Sequence, residues 1–124
     1  MDSFDIVVQS LRPFPSVARK MHGDMAKFIE TAESIKLQPT QKKKLLMAQI
    51  IRARSQMEEG IEKGGQASAV LEMIGVVGAT RQELTETEIL IKKDDFKGAA
   101  NRIRPRWKKL ESEFHFEKPV AVRQ

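Results

Sequence analysis

The chain has 124 residues, 40% of them apolar and 31% charged, with a formal charge of +5, one tryptophan, and neither cysteine nor tyrosine. That length supports one core rather than two, and the balance of apolar and charged residues suits a well-solvated helical domain. The lack of cysteine excludes disulfides, thiolate metal sites and cysteine nucleophiles, and no run reaches the ~18 consecutive apolar residues that span a bilayer.

The N-terminal Met1-Asp2-Ser3-Phe4-Asp5 lacks the basic and apolar regions of a secretory signal, so the expected compartment is the cytoplasm. Ser3 is placed to cap a short first helix through Leu11, with Phe4, Val7, Val8 and Leu11 on one face. Pro13-Phe14-Pro15 ends it, because proline cannot donate the helical hydrogen bond and restricts the residue before it. Ser16 is then expected to cap a second helix, whose seam is Val17, Met21, Met25, Phe28, Ala32 and Ile35. Leu37-Gln38-Pro39 stops this helix, and Thr40 is the expected cap of the third.

The third helix, about 41–63, aligns Leu46, Ile50, Ala53, Met57 and Ile61, flanked by Met47 and Ile51, and stops at Gly64-Gly65. The fourth, about 67–93, opens with the least polar stretch of the chain, residues 69–79, where Glu72 is the single charge. Its seam is Val70, Met73, Val77, Thr80, Leu84, Thr87 and Ile91, and Leu71, Ile74, Gly75 and Gly78 make a second strip beside it. The fifth helix starts at Asp94 or Asp95 and carries Phe96, Ala100, Ile103, Trp107, Leu110 and Phe114 on its inner face. Pro105 falls opposite that face, where the carbonyl it frees is open to water and the helix bends about its neighbours. Residues 117–124 have no periodicity and include Pro119, so they are expected to form a mobile tail.

The resulting fold class is all-α: an antiparallel up-down four-helix bundle with a short additional N-terminal helix. Residues 1–116 form the single domain and residues 117–124 the flexible C-terminal tail. Helices of this length joined by connections of a few residues are expected to run antiparallel to their neighbours.

Charge is unevenly distributed. Residues 38–65 hold six Lys and Arg against three Asp and Glu, and residues 94–124 hold eight against five, whereas residues 66–93 are slightly acidic. Lys42, Lys43, Lys44, Arg102, Arg104, Arg106 and Lys109 would form a phosphate-binding surface if the third and fifth helices exposed them together. The fifth-helix cations, however, flank the apolar stripe rather than forming one outward row, as long basic stems at bundle edges do.

Catalytic chemistry has no visible cast. His22 and His115 lie far apart and read as surface residues, with Glu111 one turn before His115 as an ion-pair partner. The paired Glu-x-x-His motifs of di-metal bundles are absent, and no Ser-His-acid spacing presents itself. The carboxylates around Glu58 and around Glu83, Glu86 and Glu88 read as solvated faces or i, i+4 partners. Gly75-Val76-Val77-Gly78-Ala79-Thr80 is not a phosphate loop, since no Gly-Lys-Ser/Thr follows. No catalytic residue, metal ligand or cofactor is therefore expected.

The leading expectation is a non-enzymatic helical interaction or adaptor protein that docks on a partner protein, a larger complex or its own copy. Leu71, Ile74, Gly75 and Gly78 are the candidate partner-binding residues, because the glycines leave bare backbone where another helix can approach. The first helix competes for that strip through its own apolar face. The alternative is a basic accessory protein that binds nucleic acid through the seven cations named above.

Overall fold

The computed structural model describes residues 3–64 and 81–116, and every regular element among them is a helix. Five helices pack together: α1 (Ser3–Leu11), α2 (Pro15–Glu33), α3 (Pro39–Gly64), α4 over residues 81–92, and α5 (Phe96–Phe114). Residues 69–79, the strip Leu71, Ile74, Gly75 and Gly78, and the tail at 117–124 lie outside the described residues.

Helix boundaries follow the punctuation, with three expected caps, Ser3, Ser16 and Thr40, lying inside their helices. α2 begins at Pro15 with Phe14 in the cap position and no side-chain cap, so Ser16 is already inside the helix. Proline at the first helical position has its φ preset and lacks an N–H that would have been unpaired anyway, so no side-chain cap is required. α3 begins in the same way at Pro39, which moves Thr40 from the cap position into the first turn. The Gln38 N–H instead donates to Gln41 Oε1 at 3.2 Å, the return half of a capping box.

α2 also ends earlier than its apolar spacing suggests. Ser34 takes an extended conformation, and its hydroxyl accepts from the Lys36 N–H at 3.2 Å, a local bond that competes with further helix. Ile35 therefore leaves the seam and stands 98% exposed in the connection. Val17, at the other end of the same seam, is about half exposed.

The α4–α5 corner is built from two adjacent aspartates. Asp94 has φ 62°, and the N–H groups of Asp94 and Asp95 return to the carbonyls of Ile91 and Leu90 at 2.9 Å, the double closure of a Schellman motif. Asp95 then caps α5, its carboxylate accepting from the Gly98 N–H at 2.8 Å. Lys43 of α3 holds the corner from outside through Asp94 and the Lys92 carbonyl, both at 3.2 Å.

Two apolar clusters fill the interior. In one, Phe4, Val7, Val8 and Leu11 of α1 meet Ala18 of α2 and Leu110 of α5, with Met21, Met25, Phe114 and Phe116 packed against them. The other joins Phe28 and Ala32 of α2, Leu46 and Ile50 of α3, Ile91 of α4, and Ala99 and Ala100 of α5. Ala18, Ala99 and Ala100 are fully buried. Small residues at these points let the α2 and α5 backbones approach, and this contact is more extensive than those of α2 with α3 or of α1 with α2 or α5. The apolar face of α1 is thus taken up by α2 and α5.

Candidate functional site

α5 carries the densest group of cations, and its neighbours meet them one by one. Glu83 of α4 is only 8% exposed, a depth at which a carboxylate needs partners. Arg106 supplies them through Nε to Oε2 and Nη2 to Oε1 (3.2 Å), the two-pronged geometry that suits guanidinium to carboxylate. Arg102 Nη2 lies 2.9 Å from both Glu83 Oε1 and Glu86 Oε2, so four charges form one network across α4 and α5. Thr87, buried one turn below, donates to the Glu83 carbonyl at 2.8 Å.

Arg106 also donates from Nη1 to the Arg102 carbonyl at 2.6 Å. That carbonyl adjoins the one on Asn101 that Pro105 deprives of its donor, and Pro105 itself is exposed. The remaining candidate cations are similarly placed. Arg104 pairs with Glu33 of α2, and Lys109 pairs with Asp5 of α1. Lys43 meets Asp94, and Lys42 Nζ stands 5.4 Å from the centre of the Phe96 ring. Of the seven, Lys44 alone is exposed without an ionic or aromatic partner among the described residues. The arrangement neutralises charge between helices instead of assembling it on one surface.

α3 and α4 are tied the same way. Arg54 contacts Glu88 and, at 3.5 Å, Thr85, while Lys92 lies 2.9 Å from Glu88 one turn along α4. The hydrogen bond from Lys92 and then that from Arg54 hold the Glu88 carboxyl below its ordinary pKa of 4.5, against the opposing effect of burial.

His115 is exposed, as expected, whereas His22 is not a surface residue. His22 of α2 is half-buried: its ring stacks on Trp107 (5.2 Å, 19°) and meets Phe116 at 4.9 Å, and its Nε2 is 3.1 Å from Glu111 Oε2. Arg19 covers the Phe116 ring at 5.1 Å. Glu111 thus faces His22 across the helix pair. His115 takes a left-handed conformation (φ 49°) at the end of α5, and its side chain leaves the row that an i, i+4 pair requires. No group of three or more potential metal ligands occurs among the described residues. No helix among them is long and apolar enough to cross a membrane.

Two kinds of residue escaped the sequence reading. Glu83 is separated from Arg102 by 19 residues, so its burial depended on how α4 and α5 face each other. The exposure of Ile51 (57%) and Ile89 (46%) is a second surprise. Ile51 lies beside the α3 seam, and Ile89 lies one turn from the polar Thr85 on α4. Comparison with protein-family models, with curated proteins and with solved structures finds no match.

Proposed function

We propose that this protein is a non-enzymatic helical interaction protein that docks on another protein, on a larger complex or on its own copy. Its scaffold is an up-down-up-down bundle of α2 to α5, with α1 closing one end. Support for that topology comes from cross-helix pairs at opposite ends of the elements: His22 with Glu111 and Glu33 with Arg104, Lys43 with Asp94 and Arg54 with Thr85.

The observation that carries the docking reading is the contrast between ionic and apolar groups. The Lys and Arg side chains that would read phosphates are mostly held by carboxylates of neighbouring helices, while Ile35, Ile51, Ile89 and Leu45 stand in water. Exposed apolar side chains that gather on one face favour a protein partner. The same contrast weakens the nucleic-acid reading, since a guanidinium already in a partly buried ion pair has to break it to reach a phosphate.

Leu71, Ile74, Gly75 and Gly78 belong to this proposal as the contact by which a partner helix or second copy approaches. Light scattering at several protein concentrations tests the self-association version. Concentration-dependent mass that Ile74→Asp abolishes, with the fold retained, is the expected result. A strict monomer whose Ile74→Asp variant unfolds assigns those residues to the core instead.

A further inference from the structure

Over its described side chains, the outer side of the α3–α4 pair differs in chemistry from the outer side of α2. From Ser34 to Met57 the chain contains no Asp or Glu. On α4, Glu83 and Glu86 turn to Arg102, and Glu88 is held by Arg54 and Lys92. No free carboxylate therefore faces outward between these helices over residues 34–56 and 81–93. Two cations do: Lys44, two turns before Ile51, and Lys93, one turn after Ile89, are exposed, and no carboxylate among the described residues holds them. The outer side of α2 differs, with exposed Asp24 and Glu30 mixed among its lysines.

Apolar groups sit among those cations. Lys43 meets Asp94 while Arg54 meets Thr85 and Glu88, so α3 and α4 run in opposite directions. One turn back from Arg54 is Ile51, and one turn on from Thr85 is Ile89. The two isoleucines therefore lie level with each other on either side of the Arg54 tie, 57% and 46% exposed. Exposed Ala48 and Ser55 keep the adjoining α3 surface low.

We propose that this face, centred on Ile51 and Ile89 and bordered by Lys44 and Lys93, docks an acidic amphipathic helix of a partner protein. The inference rests on the docking reading above and supplies the partner's chemistry. Apolar residues at the centre exclude water on contact, and the cations select carboxylates over ammonium groups at the rim. A second copy of this chain does not suit the face, because a two-fold contact would set its cations against themselves. A nucleic-acid backbone would leave the two isoleucines unmatched, and two free cations are few for phosphate binding.

The test is an anisotropy titration of the full chain at low salt with three labelled probes. These are a ~20-residue helical peptide with a leucine stripe flanked by glutamates, its lysine-for-glutamate counterpart, and a single-stranded oligonucleotide of ~20 thymidines. The acidic peptide is expected to bind, to weaken as salt rises, and to lose at least about tenfold in affinity to Ile51→Glu/Ile89→Glu. Lys44→Glu/Lys93→Glu is expected to weaken the acidic peptide and not the basic one. Equal binding of both peptides, binding unchanged by either double variant, no binding at all, or tighter binding of the oligonucleotide overturns the proposal. Circular dichroism of both variants establishes that they fold. If Ile51→Glu/Ile89→Glu retains the same proteins from native extract as the unaltered chain, the face is rejected while the docking reading stands.

Discussion

Two glycines inside helices show how differently the same residue is used. Gly23 lies on the exposed side of α2, and a methyl group added there would meet nothing within 4 Å. Nothing inside the molecule offsets the helix-propensity cost of roughly 1 kcal/mol that glycine carries relative to alanine. Gly23→Ala is accordingly expected to stabilise the fold by about 0.5–1 kcal/mol, measured by urea unfolding. Gly98 is the opposite case: a methyl group there would clash with the Asp95 carboxylate that caps α5. Gly98→Ala gains helix propensity and displaces the cap, so the two effects, each about 1 kcal/mol, offset each other. A double-mutant cycle separates them: with Asp95→Ala already in place, Gly98→Ala should become clearly stabilising. If the two substitutions are simply additive, the carboxylate does not constrain position 98.

At the scale of elements, the helices are joined by a small number of charged ties laid over apolar seams. Glu88 links α4 to α3 through Arg54 and is braced by Lys92 on its own helix. Because its folded pKa is depressed, the unfolded chain binds a proton at a higher pH than the folded one. The stability this contributes is present above pH 4.5 and is lost as pH falls through the folded value. Glu88→Gln is expected to flatten part of the acid limb of a stability–pH curve and to leave the slope near pH 7 unchanged. An acid limb identical to that of the unaltered chain would show that the tie contributes nothing. These elements were largely legible beforehand. α1, the core of α2 and the seam of α5 follow from apolar spacing and from proline, and Asp95 from its position before an apolar run. Caps at Pro15 and Pro39 were misplaced because proline at the first helical position removes the need for the serine or threonine beside it. Ile35 was misplaced because a single hydroxyl, that of Ser34, stops the helix before the periodic pattern ends.

For the whole molecule, the positive charge of +5 is a poor guide to what the surface does. Arg102, Arg104, Arg106 and Lys109 read in sequence as a candidate phosphate surface, and in three dimensions each faces a carboxylate on another helix. Periodicity places such residues on the flanks of a helix, but it does not say which neighbour faces them. For the same reason the pairing of His22 with Glu111, 89 residues apart, could not be read from spacing. The apolar strip at Leu71, Ile74, Gly75 and Gly78 remains a proposal from sequence, and the α3–α4 outer face is a proposal from structure. Both point to recognition of protein rather than of phosphate. Retention of binding partners from native extract on the immobilised full chain, with and without nuclease treatment, tests that claim most directly. The account predicts a defined protein retained in near-stoichiometric amount whether or not nuclease is added. Retention that disappears with nuclease, leaving no protein bound, would contradict it.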